Sequence, residues 1–465
     1  LIPIIALVSM LAFNVYVFED DAISGSNQFI LLMGGAVAAL VGYFNKVSLE
    51  TMLDTVGSNL KSVAGAILIL LLVGSLSAAW LISGVIPAMI FYGIKLINPA
   101  IFLPTAVVIS AIISMATGSS WTTSATIGIA LVAIGKAIGL PAGMVAGAVI
   151  SGAYFGDKMS PLSDTTNLAS AMAGTKLFTH IKYMAYTTVP TIIITLVVFA
   201  VLSLTYQVGD VQGTEQLLAA ISTKFNITPW LFVVPLLVIV LIIKKVNPVV
   251  ALLAGTLLGC VACLLTQPAI LSDFATMHST APNYAFLMQS ITQGVAIETS
   301  NASLNDLFSA GGMSGMLGTV WLIICAMVFG GIMEAIGALA RISSALLSFA
   351  TSIFGLFAST VASCLAINLT ASDQYLAIVV PGKMFEKAYK DKGLAPENLS
   401  RTLEDSGTVT SALIPWNTCG AYQSGVLGVS VSEYIGYAVF NYLSPFMTLL
   451  FAAFQIKIAQ LSNKD

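Results

Sequence analysis

The chain has 465 residues, 57% of them hydrophobic and only 8% charged, with a formal net charge of -3. A water-soluble fold needs a polar shell that this balance cannot supply, so the composition excludes one and describes a polytopic membrane protein. Its few basic residues stand at helix ends rather than in a stripe, which sets nucleic-acid partners aside.

Apolar runs of roughly 17 to 25 residues recur from end to end, and no period-two alternation suggests a barrel. The predicted fold is therefore an all-α polytopic membrane protein forming one integral-membrane domain. The opening LIPIIALVSM starts a span and lacks the basic start and cleavage site of a signal peptide, which points to a short hydrophilic tail preceding it. Spans are predicted near 1–18, 29–45 and 63–86, then two short arms at 99–116 and 124–138 around a polar tip. Residues 84–98 either lie along the interface or extend the preceding span. A broken span over 141–174, interrupted from Asp157 to Thr166, and a span at 183–206 follow. The order then repeats: 229–243, 248–266, 311–337, arms at 354–367 and 375–389, a broken span near 401–428, and a last span at 432–456.

The polar tip GSSWTT (Gly118 to Thr123) precedes the break SPLSDTTN by about the distance at which NLTASDQ (Asn368 to Gln374) precedes IPWNTCG, as an internal repeat requires. Each tip pairs with its own break. The halves are a first repeat at 1–206, a linker at 207–228 and a second repeat at 229–465. With five spans and one re-entrant hairpin per half, the second repeat must enter the membrane inverted. A cytoplasmic amino terminus then places Lys46, Lys61, Lys176, Lys182, Lys244, Lys245, Arg341, Lys383, Lys387, Lys390, Lys392, Arg401, Lys457 and Lys464 inside, and only Lys95, Lys136 and Lys224 outside. Both termini are thus expected to be cytoplasmic. The outer loops are acidic or neutral, with Glu19, Asp20 and Asp21 in the first.

An ionised side chain at mid-bilayer costs roughly 2.5–3.5 kcal/mol, so Asp157, Lys158 and Asp164 must face a polar interior or each other. Pro161 and Pro415 mark interruptions whose unpaired backbone groups are tolerated only around a cavity that binds ions or polar ligands. Around them stand Ser160, Ser163, Thr165 and Asn167 in one half, and Asn417 and Thr418 in the other. The tips add Ser119, Ser120 and Thr122, then Thr370, Ser372 and Asp373. Hydroxyl, amide and carboxylate oxygens suit a small hard cation, and Asp164, Ser163, Thr165 and Asn417 are the expected sodium ligands. Dehydration favours the proton on a carboxylate and a bound cation expels it, so the two compete for one oxygen pair. Candidate proton carriers are Asp164, Asp157, Asp373, Asp405 and Glu334.

Plainer roles stand beside these. Serines and threonines in spans often bond to the preceding turn. Asp157 adjoins Lys158 and could simply neutralise it, and Glu334 could pair with Arg341 two turns on. Glu404, Lys383 and Arg401 suggest a charged membrane edge, which leaves no arginine in the polar core to clamp a carboxylate. His180 and His278 read as loop residues, and Gly143 with Gly147 as a close helix contact. The CxxC of Cys260 and Cys263 lacks a second ligand pair and reads as helix packing, not metal binding. An intramembrane aspartyl protease would need GxGD, but Tyr154 occupies the first glycine position of FGDK, and a passive channel would need a continuous pore.

TGSSWTTSATIGIAL, ISGAYFGDKMSPLSDTTNLA and TLEDSGTVTSALIPWNTCGAY resemble the bacterial NhaC-type sodium/proton antiporter family, and the likeness covers nearly the whole chain. The resemblance implies membership of the ion-transporter superfamily, with inverted repeats, two re-entrant hairpins, two discontinuous helices, homodimerisation through a scaffold domain and elevator-like alternating access. It implies a multi-pass protein of the bacterial inner (plasma) membrane that exports sodium, or lithium, in exchange for protons, with no cofactor beyond the transported ions. Some members instead couple sodium or protons to a small carboxylate, such as malate against lactate, or to an amino acid. An organic anion or amino acid therefore stays open as a further partner.

Overall fold

The computed structural model describes residues 2–18, 25–96, 98–206, 211–275, 281–298, 305 and 307–461. His278, Glu19, Asp20, Asp21 and Lys464 lie outside the described residues. The chain is all-α and polytopic. Helix α1 (Ile2–Phe18) and α2 (Ser26–Phe44) pack on each other, and α3 (Leu49–Ile82) is the longest helix. It is capped by Ser48, whose side chain accepts from Thr51 N, so it begins well before the predicted 63. At Ser83 and Gly84 the chain turns into α4 (Val85–Leu96), which packs against the first hairpin and does not extend α3.

The first hairpin has α5 (Phe102–Thr117) as one arm. Its other arm is α6 (Ser120–Thr123), continued by a π-turn (Ser124–Gly128) into α7 (Ile129–Ala137). Helix α8 (Ala142–Met159) stops at Ser160, and α9 (Asp164–Ala173) restarts after Ser163, so the interruption is shorter than predicted. Helix α10 (Leu177–Thr205) begins six residues before the predicted 183. Then come α11 (Val211–Lys224), α12 (Val233–Ile243) and α13 (Pro248–Thr266). Two short helices, α14 (Pro268–Ala275) and α15 (Pro282–Gln293), precede a two-residue antiparallel pair, β1 (Val295–Ala296) with β2 (Ser309–Ala310).

Helix α16 (Leu317–Ala335) is followed by α17 (Ala338–Leu347), and α18 (Ile353–Thr370) with α19 (Gln374–Asp391) form the second hairpin. Helix α20 (Pro396–Leu403) runs on through a π-turn (Glu404–Thr408), breaks over 411–417, and restarts as α21 (Thr418–Leu427). A short α22 (Val431–Tyr434) and α23 (Val439–Ala453) complete the chain.

Seven helices among the described residues are long and apolar enough to cross a membrane, and one further bent pair joins Leu217–Lys224 to Pro229–Ile243 at 88°. The count falls below the predicted number of spans in part because α20 and α21 are cut short by their break and α8 and α20 carry charge. Helices α1, α2, α3, α13 and α16 pack into one bundle, while α5, α8, α9, α10, α18, α19, α20 and α23 enclose the two breaks. Close approach of α8 to α5 requires glycine: a Cβ at Gly152 would lie 2.2 Å from Val107 O, and one at Gly156 2.4 Å from Ala111 O. Gly143 and Gly147 are pressed likewise on the backbone of Glu433 and Tyr437, the close contact expected of them.

Candidate functional site

The first hairpin tip is seated on the first break. Helix α5 ends at Gly118, whose left-handed backbone lies so close to Leu162 that a Cβ there would meet the Leu162 carbonyl carbon at 2.7 Å. Half-buried Ser119 caps α6, accepting from Thr122 N at 3.1 Å, and Thr122 is buried behind it. Ser120 donates to Asp157 Oδ2 twice, from its backbone N (3.0 Å) and its hydroxyl (2.7 Å). Asp157 is only 6% exposed, and its Oδ1 has no donor. Ser160 donates to Met115 O at 2.9 Å, tying the break to α5. Ser163 caps α9 through Thr166 N, and its hydroxyl lies 3.0 Å from that of Thr165. Asn167 bonds back to Pro161 O (3.1 Å) and Ser163 O (2.6 Å) and is exposed, so it braces the break from outside.

The second tip and break are joined in the same manner. Ser372 has φ 61°, and its carbonyl accepts from Thr418 N at 2.9 Å. Asp373, 4% exposed, caps α19 by accepting from Leu376 N at 3.0 Å. Asn417 caps α21 through Cys419 N (3.0 Å) and donates to both the carbonyl and the side-chain oxygen of Asn368 (3.1 Å each). Asn368 in turn donates to Gly407 O (2.7 Å) and the Thr410 hydroxyl (3.1 Å), fastening the π-turn to the hairpin. Thr370 merely bonds Ala366 O in the preceding turn (2.7 Å), the plainer role, while buried Ser372 Oγ has no partner.

Contacts between residues 1–206 and 229–465 include three close to the breaks. The Tyr375 hydroxyl donates to Asp164 Oδ2. Trp121 stacks on Tyr422 with centroids 4.0 Å apart and planes at 17°, and the Tyr422 hydroxyl donates to Trp121 O at 3.0 Å. Lys158 pairs with Asp405, both fully buried, and Asp405 also accepts from Thr187 (2.9 Å) and Thr448.

Several expectations change. Asp164 is exposed rather than held in a dry pocket, and its Oδ1 accepts from Thr165 N. Of the expected sodium ligands, Ser163 and Thr165 meet, whereas Asn417 is engaged at the other break with Asn368. Lys158 does not neutralise Asp157. Asp405 is fully used in an ion pair and two hydroxyl bonds. Glu334 does not pair with Arg341: the ion pairs among the described residues are Lys158–Asp405 and Lys224–Asp273, and Glu334 Oε2 is buried without a partner.

The supposed charged edge is interior. Arg401 and Glu404 are fully buried, and only Lys383 is exposed. The Arg401 guanidinium stacks among Tyr183 (4.6 Å), Phe451 (5.8 Å) and Phe357 (6.0 Å), an aromatic cage that supplies cation–π attraction instead of acceptors. His180 is no loop residue either. It is buried in α10, with Nδ1 2.7 Å from the Ser400 hydroxyl. Arg401, Glu404 and His180 do not stand out as site residues in the sequence, where charge reads as a mark of the membrane edge, and Tyr375 carries no local signal at all.

A family model described as the Na+/H+ antiporter family matches residues 152–456, from within α8 to the end of the last helix. The chain belongs to the Na+/H+ antiporter family. It is 36% identical over 431 residues to the Na(+)/H(+) antiporter NhaC of Alkalihalophilus pseudofirmus, covering 92% of this chain and 91% of the relative. It is 38% identical over 386 residues to the Na(+)/H(+) antiporter NhaC of Bacillus subtilis, covering 83% of each. The Malate-2H(+)/Na(+)-lactate antiporter of Bacillus subtilis is 35% identical over 433 residues, 93% of this chain and 88% of that one. The family is one of membrane antiporters, not enzymes, as the sequence motifs implied.

Proposed function

We propose that the chain exchanges sodium for protons across the bacterial inner membrane, with Asp157 as the carboxylate for which the two ions compete. The observation that carries this reading is the asymmetry of Asp157. One oxygen is fixed by two donors from Ser120, and the other is buried with none, beside a helix that ends two residues later. An oxygen so placed favours a proton or a bare cation over solvent. The Ser163 and Thr165 hydroxyls supply further oxygen ligands, and exposed Asp164 serves as the outer carboxylate that passes ions inward.

In the same reading the two tip-and-break units are inverted repeats, spanning 1–206 and 229–465 about a linker at 207–228, with both termini cytoplasmic. Sodium, or lithium, is exported as protons enter. The bundle enclosing the breaks moves against the α1, α2, α3, α13 and α16 bundle as an elevator, and the latter provides a homodimer contact. Each tip's grip on its own break supports a rigid moving unit.

Asp157→Asn should abolish sodium-driven proton movement in sealed proteoliposomes while the protein still inserts. Exchange at the wild-type rate would remove Asp157 from the mechanism.

A second reading, sodium- or proton-coupled carriage of a small carboxylate or amino acid, draws on the likeness to the malate and lactate antiporter. The caged Arg401 argues mildly against it, because its guanidinium faces rings rather than the breaks. Sodium counterflow with and without malate, lactate or amino acids separates the two.

A further inference from the structure

Glu404 opens the π-turn of the second broken helix, is fully buried, and accepts no hydrogen bond on either carboxylate oxygen. The hydroxyls of Thr165 and Thr408 face it, and Asp157 and Lys158 are the charges that act on it. Thr165 is itself 3.0 Å from the Ser163 hydroxyl, which faces Asp157 from the other side. The Ser163 and Thr165 hydroxyls at the start of α9 thus neighbour two buried carboxylates, Asp157 with one oxygen free and Glu404 with both.

No fixed cation answers for Glu404. Lys158 is committed to Asp405, and Arg401, one turn back on the same helix, is turned into its aromatic cage. His180 on α10 bonds Ser400. Asp164 on α9, Tyr183 on α10, Cys364 on α18, Tyr389 on α19 and Tyr442 on α23 add no positive charge on the elements packed around this turn, and the lysines of α19 are exposed. Burying an ionised carboxylate without a partner is costly, so this group must hold either a proton or a cation. With Lys158 cancelling Asp405 and Arg401 held among its rings, Asp157 and Glu404 are the carboxylates beside this turn without a paired cation.

We propose that Glu404 completes the cation cradle. Its carboxylate, Asp157 Oδ1 and the hydroxyls of Ser163 and Thr165 together hold the sodium ion, and each carboxylate takes one proton when that ion leaves. The inference rests on the reading of Asp157 as the exchange carboxylate. Two O–H bonds form for each sodium released, so the proton-loaded site carries one more positive charge than the sodium-loaded site, and exchange moves net charge across the membrane.

Glutamine imitates the neutral acid, which makes Glu404→Gln the discriminating variant. In purified protein in weak buffer, the protons released per sodium bound should fall by about one relative to wild type, and the sodium-evoked current in proteoliposomes should fall with them. Unchanged proton release and current would make Glu404 a permanently neutral structural acid and overturn the inference. If Glu404→Gln does not fold, Glu404→Asp keeps the carboxylate but withdraws it by one methylene. It should then bind sodium about tenfold more weakly with the proton count preserved, and wild-type affinity would overturn the proposal. Asp157→Asn, run in parallel, separates the two ideas. Normal exchange by that variant defeats the underlying site, whereas its loss alongside a silent Glu404→Gln defeats this inference alone.

Discussion

The Lys158 ammonium has one carboxylate to answer it, and Asp405 is held in turn by Thr187 and Thr448. Removing one member of a buried pair strands the other, so Asp405→Ala should lower stability by about 3–5 kcal/mol. The joint change Lys158→Met with Asp405→Leu should recover most of it. Thermal unfolding in detergent measures both, and equal melting temperatures for Asp405→Ala and wild type would contradict the pairing. The sequence left Asp157 open as a partner for Lys158. Asp157 and Lys158 are neighbours in the chain, but consecutive residues on a helix diverge around its axis and cannot face each other. The actual partner lies on a distant helix, and nothing local to either residue announces it. Asp157 itself was legible, because a carboxylate four residues before Pro161 in an apolar stretch is too costly to bury without a use.

The breaks were the most legible elements, since proline within an apolar span removes a donor and obliges the backbone to find other partners. Their seating on the hairpin tips is what gives them shape. At Gly118 two demands coincide, a φ of 71° and a separation from Leu162 that leaves no room for a side chain. Gly118→Val should therefore cost at least the roughly 1–2 kcal/mol of left-handed strain, push the tip off the break, and remove Ser120 from Asp157. Sodium-driven proton flux should drop sharply while expression persists, and an active Gly118→Val would show that the tip need not touch the break. Helix starts were less legible. Helices α10 and α20 begin earlier than hydropathy suggests, at Leu177 and Pro396, because the polar residues near their starts, His180 in the first turn of α10 and Arg401 in the last turn of α20, are buried. A scale that counts charge as water exposure cannot see a guanidinium satisfied by rings.

Across the whole molecule, the bundle around the breaks meets the other bundle where Gly425 of α21 faces Thr319 of α16. A Cβ at Gly425 would stand 3.3 Å from Thr319 Cβ, near the separation that a disulfide spans. With the five native cysteines replaced, Gly425→Cys with Thr319→Cys should form a disulfide on oxidation, arrest exchange, and recover on reduction. Undiminished exchange by the cross-linked protein would mean that the two bundles do not move past each other at this contact. Composition alone was enough to predict a helical membrane protein, but the division of labour between bundles depends on which faces meet, and periodicity does not encode that. The longest helix adds a mechanical point. At 34 residues, α3 measures about 51 Å against a hydrocarbon slab of about 30 Å. It must lean steeply or stand proud of the lipid, and its tightly packed end is the last third, Leu70 to Ile82, with Leu49 and Leu53 left uncovered near its start. Since that first stretch carries Glu50, Asp54 and Lys61, the surplus length suits headgroups and water, and such a strut fixes the depth at which its packed end sits in the lipid.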